Sequence, residues 1–243
     1  VVTEGLDGLR ARLKEYKELG AKFAKWRAVI SIGDGIPTYT CLELNAEALA
    51  RYAALCQEAG IVPIVEPEVL LDGSHTIERA QEVTEHTLKV TFTQLFLQRV
   101  YLEGMILKPS MVVPGKDSSK KASVQEVAER TIRCLKRTVP AAVPGIAFLS
   151  GGQSAESATE HLNGMNAMGP LSGVNIVEFA GIGPGPHAQV SRSRQSGQIR
   201  SRPAAGSARS SIPSVSVCSW CSVNPSCSRS SAHSSSRKII RSG

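Results

Sequence analysis

The sequence predicts an α/β fold in which parallel strands alternate with helices in the manner of a (β/α) barrel. Two observations predict it. Segments of helical and of strand periodicity alternate through residues 1–170, as βα units in a parallel sheet require. Polar residues also recur at corresponding points of successive units, Lys25, Glu66, Lys108 and Ser150, at intervals of 41 or 42 residues. So regular a repeat suits a barrel better than a doubly wound sheet. About four units are present, whereas a closed barrel needs eight strands. The barrel is therefore expected to be incomplete, with two unpaired edges. Residues 171–243 show no sustained periodicity and form a separate tail.

The elements follow in chain order. Residues 6–19 carry an amphipathic helical pattern, and the apolar run 26–32 reads as a strand. Between 46 and 59 apolar residues keep helical spacing until Gly60 stops them. Residues 61–65 are rich in β-branched side chains and read as the second strand. A long helix is expected over 76–98 and a short strand over 105–107. Ser123 with Glu126 has the form of a capping box. Positions 124, 127, 128, 131, 132 and 135 would be the buried stripe of the helix it opens. Residues 145–149 read as a fourth strand and 154–168 as a last helix.

Charge divides the chain. Its net charge of +7 comes wholly from the tail, where nine basic residues face one acid, Glu178. Residues 1–170 are nearly neutral. The tail is dominated by Ser, Arg, Gly and Pro and reads as disordered. No aromatic platform accompanies its arginines, so nucleic acid is not the expected partner. Cys218, Cys221 and Cys227 are too irregularly spaced for a four-ligand zinc site, and no metal is expected. Cys41, Cys56 and Cys134 are scattered, as in a reduced cytoplasmic protein. No apolar run is long enough to span a membrane, and the N-terminus lacks a signal-peptide pattern. The absent initiator Met suggests a fragment.

Barrels of this type place chemistry at the C-terminal ends of their strands, where Glu66, Lys108 and Ser150 would lie. Lys108 follows an apolar strand, and Pro109 favours an extended conformation for it. A lysine there could serve as a nucleophile if desolvation and neighbouring cations, Lys25 and Arg27, drew it below the usual value of about 10.4. By spacing alone, a surface lysine just past a strand fits at least as well. Glu66 and Glu68 would share one face of an extended segment. Their mutual repulsion would suit acid–base work, although a solvated loop fits the same letters. Lys25 and Arg27 share the i, i+2 relation and could bind phosphate. Ser150-Gly151-Gly152 precedes a helix, so backbone N–H groups there could cradle an anion; an ordinary βα turn is the alternative.

Together these segments resemble the class I fructose-bisphosphate aldolases. The likeness rests on Glu4-Gly-Leu-Asp-Gly-Leu9, Phe23-Ala-Lys-Trp-Arg27, Ala50-Arg-Tyr-Ala53, Gly60-Ile-Val-Pro-Ile-Val-Glu-Pro-Glu68, Tyr101-Leu-Glu-Gly104 with Leu107-Lys-Pro109, Arg137-Thr-Val-Pro140 and Phe148-Leu-Ser-Gly-Gly-Gln-Ser154. It covers about residues 1–170. It implies a metal-independent TIM barrel, without cofactor, that reversibly cleaves fructose 1,6-bisphosphate to dihydroxyacetone phosphate and glyceraldehyde 3-phosphate. Lys108 would form the imine and Glu66 would be the acid–base group, with Lys25 and Glu68 completing the charged network. Arg27 would contact the sugar phosphate chain, and Ser150 with the Gly151 backbone would hold the C1 phosphate. The resemblance also implies a cytoplasmic homo-oligomer, commonly a tetramer, with a plastid location left open.

The sequence departs from the family at both ends. The family's first strands, with an aspartate and a lysine of its site, precede the segment matching Val1. After Met168-Gly-Pro170 the family's second phosphate clamp and C-terminal tyrosine region find no counterpart. The tail beyond looks like translation in a shifted frame, and a chain so composed is expected to show little or no aldolase turnover. The alternative is a non-catalytic aldolase-derived module whose basic tail binds an anionic partner.

Overall fold

The computed structural model describes residues 1–169 and the strand at 175–178. Five parallel strands lie side by side in sequence order: β1 (Phe23–Ile30), β2 (Val62–Val69), β3 (Ile106–Leu107), β4 (Gly145–Phe148) and β5 (Asn175–Glu178). Five α-helices accompany them: α1 (Leu9–Glu18), α2 (Tyr39–Glu58), α3 (Ile77–Leu97), α4 (Val124–Thr138) and α5 (Ala155–Ala167). The strictly sequential order, each strand joined to the next through a helix, is that of a partial (β/α) barrel.

The two faces of the sheet differ because side chains alternate along a strand. In β1 the even-numbered Ala24, Trp26 and Ala28 are buried against helices in the main core. There Trp26 meets Tyr52 of α2 with ring centroids 5.5 Å apart. The odd-numbered Lys25 and Arg27 turn to the opposite face. β2 is covered on both faces, and only Val62 at its start is exposed.

β3 is two residues long for a reason visible in β2. Leu70 N–H donates to Ile30 on the β1 side, whereas Val65 accepts from Lys108 N–H on the β3 side. The odd-numbered residues of β2 therefore turn their backbone groups toward β3, and two of them, Pro63 and Pro67, have no N–H to give. The β2–β3 ladder holds only the pairs Ile64 with Ile106 and Val65 with Leu107. Past it, Ser110 Oγ accepts from Val69 N–H and donates to Val69 O, both at 2.9 Å.

Several boundaries differ from those expected. The first strand begins at Phe23 rather than residue 26, and β2 runs on to Val69, so Glu66 and Glu68 lie within the strand and not beyond it. α2 starts at Tyr39, seven residues before the periodic run, because Thr38 caps it by accepting from Cys41 N–H. Ser123 caps α4 through Glu126 N–H at 3.1 Å, but the Glu126 carboxylate pairs with Arg130 instead of closing the box. Val124 is exposed, while Cys134 and Thr138 join the buried stripe. β5 lies beyond the four expected strands. Four residues are too few to show periodicity, but Ile176 and Val177 pair with Ile146 and Ala147. The expected disorder of the tail otherwise falls outside the described residues. Among those residues no helix is long and apolar enough to cross a membrane.

Candidate functional site

Three neighbouring strands present a charged cluster on the face opposite the helices. Strand register explains how. Arg27 pairs with Glu66 and Val29 with Glu68, so each cation of β1 sits one rung before a carboxylate of β2. Each reaches diagonally to the carboxylate ahead of it. Lys25 Nζ meets Glu66 Oε2 at 2.5 Å, and Arg27 Nε meets a carboxylate oxygen of Glu68. From the other side Lys108 Nζ donates to Glu66 Oε1 at 2.8 Å. Glu66 thus holds one ammonium on each oxygen. Its burial is nearly complete at 3 % exposure, as is that of Lys108 at 4 %.

This arrangement revises two expectations. Glu66 and Glu68 do share a face, but Glu66 holds two cations and Glu68 one, so charge neutralisation replaces mutual repulsion. Lys25 does not act on Lys108 across open space, because the Glu66 carboxylate stands between them. The 42-residue interval matches strand register only between Glu66 and Lys108. Lys25 lies level with Ile64, a rung earlier. Leu107 lies level with Ile146, so Ser150 is about three residues further along than Lys108.

Lys108 is held firmly. Its N–H donates to Val65 O at 2.7 Å, Ser110 clamps the next turn of chain to Val69, and Val112 N–H donates to Thr131 Oγ1 of α4 at 2.9 Å. Ser110 and Thr131 were not singled out from sequence. Only the serine after Pro109 could have signalled its role, since its partner lies 41 residues away. Beyond the strands, the loops after β2 and β3 are stitched together by Gly115 N–H to His75 O, Lys116 N–H to Leu71 O and Asp117 N–H to Gly73 O, at 2.8–3.0 Å.

Ser150 and Gly151 stand in the turn between β4 and α5. Gly151 and Gly152 have φ of +62° and +94°, the left-handed region that favours glycine. Ser150 O accepts from Gln153 N–H at 3.1 Å and from Gln153 Nε2 at 2.9 Å. Ser154 then caps α5. This turn lies past the strand ends, with its own contacts, rather than within the Lys25–Glu66–Lys108 cluster. Among the described residues no group of three or more His, Cys, Asp or Glu side chains is placed to hold a metal ion.

The cluster is thus a buried carboxylate bridging two lysines, one on each oxygen. The glycine turn at 150–152 stands further along the same end of the sheet. Known proteins share this chain's text. The family model for class I fructose-bisphosphate aldolase matches residues 1–176. A probable class 1 fructose-bisphosphate aldolase of Xylella fastidiosa is 64 % identical over 171 residues, 70 % of this chain and 51 % of the relative. The cytosolic fructose-bisphosphate aldolase 6 of Arabidopsis thaliana is 56 % identical over 166 residues, 68 % of this chain and 46 % of the relative. Among solved structures, the fructose-bisphosphate aldolase of Plasmodium falciparum, in complex with TRAP and a small-molecule inhibitor, superposes with a TM-score of 0.72 at 47 % identity, covering 74 % of this chain and 52 % of that one. The chain spans about half the length of the curated relatives it matches.

Proposed function

The chain belongs to the class I fructose-bisphosphate aldolase family, and on that premise we propose that it carries the imine-forming half of a site for fructose 1,6-bisphosphate. The observation that carries the reading is buried Glu66, with Lys108 on one oxygen and Lys25 on the other. Lys108 Nζ must lose a proton before it attacks the substrate ketone. Glu66 is within hydrogen-bond reach to take that proton, and then to serve as acid in expelling water from the carbinolamine. The iminium that results is again a cation, so its pairing with Glu66 survives the step. As the C4 hydroxyl gives its proton to a base, electrons of the C3–C4 bond flow into the iminium, leaving an enamine and releasing glyceraldehyde 3-phosphate; a proton returned to C3, and hydrolysis, give dihydroxyacetone phosphate.

The remaining residues take supporting roles. Lys25 holds the second oxygen of Glu66 throughout. Arg27 meets Glu68 through Nε, and its guanidinium carries further donors suited to the sugar phosphate chain. Ser150 and the Gly151 backbone hold the C1 phosphate. The cytosolic plant relatives support a cytoplasmic location, and the family reading adds a homo-oligomer, commonly a tetramer. The groups supplied by the other half of the family's length make turnover separable from imine formation. Borohydride reduction in the presence of dihydroxyacetone phosphate, followed by peptide mapping, tests the proposal. It should label Lys108; a folded chain that remains unlabelled sinks it.

A further inference from the structure

The turn that carries Ser150 and Gly151 is fastened by a chain of contacts that leads to a histidine. Gln153 donates twice to Ser150 O, through its backbone N–H at 3.1 Å and through Nε2 at 2.9 Å. The same Nε2 lies 3.7 Å from Met111 Sδ, on the segment that follows Lys108. The other end of the amide, Oε1, lies 2.6 Å from His161 Nδ1, eight residues on and two turns into α5. Acceptor chemistry fixes the polarity of this chain. A carbonyl oxygen only accepts, so Gln153 must turn its amino group to Ser150 O. Its own oxygen then faces His161, which must carry a proton on Nδ1.

We infer that His161 is a positioning residue for phosphate recognition: by donating from Nδ1 it locks the Gln153 amide, which clamps Ser150 and sets the Ser150-Gly151-Gly152 backbone toward a phosphate. The inference rests on the phosphate role proposed above for Ser150 and Gly151. His161 touches no reacting atom and acts through Gln153. Its position on α5 is more than a turn from the glycines, so sequence spacing alone does not reveal it. The glycines need such a clamp. With positive φ at Gly151 and Gly152 the turn gains its shape from residues of high conformational freedom, and each loose degree of freedom weakens binding. The contact of Gln153 with Met111 ties the same amide to the strand end that carries Lys108, so phosphate turn and nucleophile are set relative to each other.

The test compares two ketones on the full chain. Borohydride trapping is followed as a function of concentration for dihydroxyacetone phosphate and for dihydroxyacetone, which lacks the phosphate. His161→Phe keeps a ring but removes the donor. It should raise the half-saturating concentration for the phosphorylated ketone about tenfold relative to that for the other, the loss of one hydrogen bond's worth of positioning. Gln153→Ala should shift this ratio in the same direction. His161→Asn should restore it, because its Nδ2 stands in the place of the imidazole Nδ1. A loss that is only structural would weaken both ketones together, and a constant ratio in His161→Phe overturns the inference. A wild-type chain that traps neither ketone overturns the imine reading instead. Independently of any imine, the ¹⁵N spectrum of His161 at pH 8, where imidazole is neutral, should show a proton on Nδ1; a bare Nδ1 overturns the clamp.

Discussion

Glu66 is the residue on which the cluster depends, because its two oxygens separate two largely buried ammonium groups. Removing it should cost more than a surface ion pair would. Glu66→Ala leaves Lys25 and Lys108 facing one another without a carboxylate, and breaking a buried pair in this way costs about 3–5 kcal/mol. Urea denaturation should show that loss. Glu66→Gln keeps the volume and one acceptor and should lose less stability. It should still slow trapping at saturating dihydroxyacetone phosphate by about 100-fold, since an amide cannot take the lysine's proton. Retention of the wild-type rate would remove Glu66 from the acid–base role. Lys108→Arg keeps a cation on Glu66 but cannot form an imine, so the fold should persist without label. Sequence carried the Glu66–Lys108 interval, which equals the strand register there, but suggested Lys25 and Arg27, not Glu66, as the neighbours of Lys108. It left the Lys25 bridge unreadable, because that contact is diagonal and depends on which rung β1 occupies.

The strand ends are held in place by loops rather than by long ladders. β3 is short because Pro63 and Pro67 remove donors from β2, and the stitched loops after β2 and β3 compensate. Gly115 is the tightest point: a Cβ there would lie 2.2 Å from Gly73 O. Gly115→Ala should therefore force the loops apart and lower stability by about 1–3 kcal/mol, with faster amide exchange at Lys116 and Asp117. His75 lies in the same clasp, and among the described residues neither ring nitrogen has a hydrogen-bond partner. Burial, and then the charge of Arg79, hold it below the ordinary value near 6.5. Below that pH the unfolded chain takes up a proton before the folded one does, so stability falls as pH drops from 6.5 and is intact above it. His161, lowered by burial, acts in the same sense. The urea midpoint should fall between pH 7 and pH 5.5, and less so in His75→Gln. The Ser123 cap was legible in the sequence because a capping hydroxyl serves the N–H three residues on; Thr76 and Ser154, read only as helix starts, cap in the same way. The early start of α2 was not legible, since its first two turns carry exposed Tyr39 and Leu44 beside buried Leu42, which blurs the apolar stripe.

Among the described residues β1 stands at one end of the strand order, and apolar side chains at the start of the sheet are part exposed. Phe23 and Val62 form a cross-strand pair at the start of the sheet, and both remain about 40 % exposed, at 43 % and 40 %. An edge strand beside exposed apolar surface favours association. Opposing this is the net charge of +7, concentrated in residues 171–243, which makes copies repel at low ionic strength. The balance has a testable sign. Salt screens the repulsion, with a Debye length that shrinks from about 10 Å at 0.1 M to about 3 Å at 1 M, while the apolar attraction is left intact. Sedimentation velocity should show more self-association at 0.5 M than at 0.05 M sodium chloride. Nucleic-acid binding by the basic tail would respond to salt in the opposite direction. Phe23→Ser combined with Val62→Thr should reduce the associated fraction at both salt concentrations. If the double variant associates as the wild type does, the start of β1 and β2 is not where copies meet, and the attraction must be sought elsewhere, beginning with exposed Phe96 and Leu97 at the end of α3.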